Sequence, residues 1–236
     1  MTDRRPFWVR TVPPGGGISA SGWSITPLLR DYPGFMGTLS LYHATLPPGR
    51  MPHEIHAHRE EEIEVLLSGE LDVITPEQTT RIGPGSFFYH PPGQAHTIRS
   101  VGEAAATLFL LRWSCPEQAL PDAALSSFLF DAARLPPWPS LPHMQRQEVC
   151  AGLPLANGGR LEVHAATSPA HAGCKLHTDP YDVMIVLLEG RVVCLGHDTT
   201  APAAIYYPAG VVHGHAATSD LAMRALHLQF YKPPTG

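Results

Sequence analysis

The sequence predicts an all-β chain of two tandem jelly-roll-like barrels joined by a short helix. Three observations carry that expectation. Short apolar segments rich in β-branched and aromatic residues recur along most of the 236 residues, separated by turns. The 21 Gly and 25 Pro that supply those turns stop short of a low-complexity composition. Two motifs also occur twice, in the same order, about half a chain apart.

In the first half the strand-like segments are Thr38–Leu46, Ile63–Leu67, Leu71–Thr75, Gly85–Tyr89 and Thr107–Trp113, bounded by PPG, SGE, GPG and PPGQ turn signals. In the second they are Arg160–Ala165, Val183–Leu188, Arg191–Leu195, Ile205–Tyr207 and Ala222–Phe230. One segment breaks the pattern. Asp122–Arg134 places Leu125, Phe128, Leu129 and Ala132 at helical spacing, with Asp122 as N-cap and Pro136–Pro137 as a stop. The Pro-rich stretch Leu135–His143 reads as a linker, dividing the chain into 1–135 and 136–236. The first 30 or so residues, rich in Pro and Gly, read as a surface arm grouped with the first domain.

Charged residues are only 16% of the chain and the net charge is −5, with Lys and Arg scattered, which offers no footprint for nucleic acid. No apolar run approaches a membrane span, and the N-terminus lacks the apolar core of a signal peptide. Cys115, Cys150, Cys174 and Cys194 form no CxxC pair and read as thiols of a reducing compartment, so we expect a cytoplasmic protein.

The chemistry is carried by histidines, of which there are 14. His56, His58 and Glu62 stand at n, n+2 and n+6, which on a strand directs all three to one face. Two imidazoles and a carboxylate suit a divalent transition metal better than Ca or Mg. His96, after the second turn, is the candidate fourth ligand. The alternative is a solvated His/Glu-rich edge, but the set leads straight into the apolar run IEVLL and a glycine turn.

These residues resemble the cupin superfamily, whose motifs have the forms G(x)5HxH(x)3-4E(x)6G and G(x)5PxG(x)2H(x)3N. The chain reads Gly49-RMPHEI-His56-A-His58-REE-Glu62-IEVLLS-Gly69, then Gly85-SFFYH-Pro91-P-Gly93-QA-His96-TIR-Ser100. It departs in one extra residue after Gly49 and in Ser100 for Asn. The resemblance implies two cupin barrels, with His56, His58, Glu62 and His96 holding a divalent metal, Fe(II) or Mn(II) before Ni, Cu or Zn.

The second half is a degraded copy. His177, Asp179 and Gly190 match His56, His58 and Gly69 at an offset of 121, and His213 matches His96 at an offset of 117. Val183 stands where Glu62 would be, and the neighbouring Asp182 has the wrong parity to replace it. His177, Asp179 and His213 form either an open metal triad or a relic.

Such a metal favours an anionic or chelating small molecule: an enolate, a catecholate, or a hydroxy- or keto-carboxylate. Resemblance makes a dioxygenase the leading expectation, with Glu62 doubling as proton acceptor. A non-redox lyase, decarboxylase or isomerase is the second reading, and a non-catalytic binding cupin the third. Of the remaining residues, Arg112 reads as a solvent-facing strand end, and His53 and Glu54 as an ordinary loop. Either Tyr42 or His43 must face the barrel interior. Exposed strand edges lead us to expect a homodimer.

Overall fold

The computed structural model describes residues 7–12, 23–34, 37–114, 125–135, 143–218 and 222–232. Nearly all the regular structure among the described residues is strand, and they divide into two compact units. The chain opens with β1 (Trp8–Thr11). The first unit then follows as β2 (Ser24–Gly34), β3 (Gly37–Leu46), β4 (Glu61–Ser68), β5 (Leu71–Ile74) and β6 (Thr79–Ile82). It is completed by β7 (Phe87–His90), β8 (Thr97–Ser100), β9 (Ala106–Ser114) and β10 (Phe128–Phe130). The second unit holds β11 (Gln145–Pro154), β12 (Arg160–Ser168), β13 (Gly173–His177), β14 (Asp182–Glu189) and β15 (Arg191–Cys194). It ends with β16 (His197–Thr200), β17 (Ala203–Tyr207), β18 (His213–Ala217) and β19 (Met223–Tyr231).

Each unit is a large sheet facing a small one. In the first, β10-β7-β4-β9-β3-β2 faces β6-β5-β8; in the second, β1-β17-β14-β19-β12-β11 faces β13-β18-β15-β16. Alternation assigns the facing sides. Ala44, Leu46, Leu66, Phe88 and Leu108 of the large sheet meet Leu71, Val73, Ile82 and Ile98 of the small one to form the first core. Val183, Ile185, Ile205 and Tyr207 meet Val192, Cys194 and Ala217 in the second. Tyr42 shares the interior parity of Ala44, while His43 lies on the other face with its ring 6.1 Å from Phe109.

Gly69 shows why the turn after β4 needs glycine. Its φ is +80°, and a Cβ there would stand 2.7 Å from Ala106 Cα and 2.8 Å from the Ala105 carbonyl oxygen. Gly190, its counterpart, has φ +87° and meets Met223 and Ala222 in the same way.

Two expectations are corrected. Over its described part, 125–135, the segment expected to be a helix is strand β10 followed by a 3-10 turn at Ala132–Arg134; the expected N-cap Asp122 lies outside the described residues. Phe128 and Phe130 alternate onto the Phe87 ring at 5.8 and 5.6 Å, and the backbone pairs with β7, so period-two packing overrides helical spacing. Asp131 caps the short turn by accepting from Ala133 N–H at 3.0 Å. The arm grouped with the first domain instead supplies β1 to the second unit: Trp8 pairs with Tyr206 and stacks on it at 5.3 Å. Among the described residues, no helix is long and apolar enough to cross a membrane.

Candidate metal centre

Glu62 is the one member of the expected set on a regular strand, flanked in register by His90 of β7 and Arg112 of β9. His56 and His58 lie in the loop before β4 rather than on a strand face. His56 is held by an isolated bridge to His96, with N–H···O distances of 3.1 and 2.9 Å, and Gly93 N–H donates to the His58 carbonyl at 2.8 Å. The loop thus delivers what strand parity was expected to deliver.

Each imidazole is oriented by a backbone carbonyl on Nδ1: His96 O at 3.2 Å for His56, Glu60 O at 2.9 Å for His58 and Gln94 O at 2.8 Å for His96. A carbonyl only accepts, so each Nδ1 carries the proton and each Nε2 is left with its lone pair. One donor atom from each of the three rings lies within 4.8 Å of the others. Glu62 Oε2 stands 3.0 Å from His58 Nε2, and Oε1 stands 3.7 Å from His96 Nε2. Among the described residues, His58 Nε2, His96 Nε2 and Glu62 Oε1 are buried without a hydrogen-bond partner. Buried polar atoms are rarely left so, and three aimed at one another in a nitrogen-rich set fit a divalent transition ion.

Electrostatics keep Glu62 ionised. Burial opposes charge, but the adjoining His58 and His96 side chains and the Arg112 guanidinium outweigh it and hold the carboxyl well below its usual range. Arg112 Nε donates to Glu62 Oε2, which corrects the expectation of a solvent-facing arginine; its side chain is 30% exposed. Beneath Glu62, on the same face of β4, Glu64 is driven the other way. Burial and then the Glu62 charge push it well above the carboxylate range.

Residues 42–112 match the family described as Cupin domain. No curated protein sequence matches the chain. Among solved structures, AerE from Microcystis aeruginosa superposes with a TM-score of 0.67 at 13% identity, over 89% of this chain and 93% of that one. Oxalate decarboxylase from Lactobacillus farciminis, in a formate complex, gives 0.60 at 14%, over 83% and 77%. A variant of salicylate 1,2-dioxygenase from Pseudoaminobacter salicylatoxidans gives 0.59 at 11%, over 81% and 71%.

The chain has a tandem cupin fold. In the second cupin barrel His177 ends β13, Asp179 follows in the loop and His213 begins β18, again with one donor atom each within 4.8 Å. Asp179 Oδ2 lies 3.5 Å from His177 Nε2 and 3.3 Å from His213 Nε2, while Lys175 O and Val211 O hold the two Nδ1 atoms at 2.8 Å. Asp182 points away, as its parity requires, accepting from Tyr206 O–H and, at 2.8 Å, from Ala209 N–H. It is the copy of Glu61, which accepts from Tyr89 O–H at 2.7 Å, Trp113 Nε1–H at 2.8 Å and Ala156 N–H at 2.9 Å. The Glu62–Arg112 pair of the first cupin is Val183–Gln229 in the second, also adjacent in register.

Sequence reasoning missed two neighbours of the first centre, His90 and Glu64, and read a third, His53, as an ordinary loop residue. His90 stacks on His96 with ring centroids 3.8 Å apart, and burial, then the His96 charge, hold it down to about 3. His53 stands 3.8 Å from the His56 ring. Glu64 was hidden in an acidic run that looks solvated until the strand is placed. For His90 and Glu64 the signal exists only once the β4–β7 register is known.

Proposed function

We propose that this tandem cupin is a metal-dependent enzyme whose first barrel binds a small organic anion and oxidises it with O₂. The observation that supports the reading is the convergence of Nε2 of His58 and His96 with Glu62 Oε1, all buried and unpartnered, beside His56. The fold likeness to a salicylate dioxygenase is in keeping with it.

His56, His58, His96 and Glu62 would hold the ion, Fe(II) or Mn(II) by ligand type. A bound ion of this kind supplies Lewis acidity and a meeting point for the organic anion and O₂. The chain's own residues do the rest. The Nδ1 bonds to backbone carbonyls fix the three rings before anything binds, so little ordering remains at the moment of reaction. Arg112 keeps Glu62 in its carboxylate form. Oε2 of Glu62, shared between His58 and Arg112, is the site for accepting a substrate proton.

A second reading, non-redox proton-transfer chemistry such as decarboxylation, draws support from Glu64. It is a buried carboxyl whose proton affinity is raised by burial and the Glu62 charge, on the same strand face as Glu62, and the fold is shared with an oxalate decarboxylase.

Two measurements on protein purified without chelator separate the readings. Elemental analysis with O₂-uptake assays on catechols, flavonols and keto acids is expected to find iron or manganese and O₂ consumption. Loss of CO₂ from a keto acid without O₂ uptake would favour the second reading. Full occupancy by zinc with neither activity would remove the first.

A further inference from the structure

The two barrels differ at one edge. In both, a short strand pairs with the free edge of the large sheet: Phe128 of β10 lies opposite Tyr89, and Trp8 of β1 lies opposite Tyr206, the two copies of one position. The preceding residue is Ser127 in the first barrel and Phe7 in the second. Phe7 fills the gap between the sheets, with its ring 5.9 Å from Tyr207 and 5.3 Å from His197. Ser127 leaves that gap open.

The result is a cavity of about 50 Å³ in the first barrel, between the β5–β6 hairpin and the edge formed by β7 and β10. At roughly 10–15 Å³ per water-sized group, it holds only a few non-hydrogen atoms. Val73, Phe88 and Leu129 give it apolar walls, and Thr80, Gln78 and Ser127 give it uncharged polar groups. None of its lining residues is Asp, Glu, Lys or Arg. It also reaches His90, which is 1% exposed and whose two ring nitrogens have no hydrogen-bond partner among the described residues.

We infer that this pocket is a binding site for a small uncharged hydrogen-bonding molecule, an alcohol or a primary amide, whose polar group bonds the ring of His90. Charged ligands are excluded, since the walls offer no counter-ion and burial of an unpaired charge is costly. The ligand does not touch the metal-binding side chains; it sits one imidazole away from them, behind the His90–His96 stack. The site stands or falls independently of the metal reading.

The test is a solution titration of the full chain, in which isotope-labelled histidine side chains are followed by NMR. The probes are acetamide and 2-propanol, with acetate as the charged control. Saturable shifts at His90 with the two neutral probes and none with acetate are expected. Ser127→Phe, which copies the second barrel's plug onto an exposed position, is expected to abolish binding. Ser127→Thr is expected to keep it. His90→Phe preserves the ring but removes both nitrogens and, read through the stacked His96 ring, is expected to weaken binding about tenfold or more. No saturable shift in the parent protein, undiminished binding in Ser127→Phe, or equal binding of acetate would each overturn the site.

Discussion

Arg112 donates to Oε2 of Glu62, the same oxygen that lies 3.0 Å from Nε2 of His58. Glu62 is fully buried, so in metal-free protein Arg112 is its charged partner. Removing one member of a buried ion pair costs about 3–5 kcal/mol, because the other is left uncompensated. Arg112→Leu is therefore expected to destabilise the chelator-treated protein by an amount near the low end of that range, since Arg112 itself is partly exposed. A bound divalent ion supplies the missing positive charge, so the metal-loaded variant recovers most of the loss. Thermal unfolding with and without chelator checks this; equal losses in both states would contradict it.

The second barrel offers three candidate donor groups where the first offers four, because Val183 replaces the glutamate. We expect two classes of divalent-metal binding, the weaker in the second barrel. Asp179→Asn should remove the weaker class alone, and His58→Ala the tighter one alone. Calorimetric titration with Mn(II) of chelator-treated protein reads both, and a single class surviving Asp179→Asn unchanged would show the second triad to be a relic.

Buried histidines, His90, His215 and His227 foremost, shape the acid limb of stability. Burial comes first among the causes that hold His215 down to about 4, His90 down to about 3 and His227 well below the usual value. An unfolded histidine titrates near about 6.5. As pH falls below that point the unfolded chain takes up protons and the folded one does not. The stability these groups contribute is thus complete above about 6.5 and drains away toward their folded values, at about 1.4 kcal/mol per pH unit for each. Urea unfolding between pH 7 and 5 should show it, and His227→Leu should reduce the slope.

Gly69→Ala tests the turn after β4. A positive φ alone costs a non-glycine residue roughly 1–2 kcal/mol. Here the new Cβ also meets backbone atoms at 2.7 and 2.8 Å, which cannot step aside as a side chain would. Gly49→Ala has φ +73° but open space around it. Chemical denaturation should find the Gly69 variant less stable than the Gly49 variant by about 1 kcal/mol or more.

Much of this was legible in the chain. The HxH, Glu and PPG-His spacing singled out His56, His58, Glu62 and His96, whose side chains lie together in the fold because the segments between them are short or bridged. The paired offsets exposed the duplication, and strand parity correctly turned Asp182 away from the second site. What stayed hidden depended on pairing between distant segments. Arg112 reads as a strand end until β9 is placed beside β4, and His90 until β7 is. The helical spacing of Leu125, Phe128 and Leu129 was a local pattern that lost to a tertiary one, the open edge of β7.

The pairing of β1 with β17 also bears on how the protein is made. Trp8 leaves the ribosome nearly two hundred residues ahead of its partner Tyr206. The first barrel draws its strands from a continuous middle stretch and can close early, with the leading strand left waiting. The second barrel joins segments that lie on either side of the first in sequence, a long-range closure expected to make it the slower half to form. A truncation that removes Trp8–Thr11 would accordingly injure the half of the molecule encoded farthest from the cut.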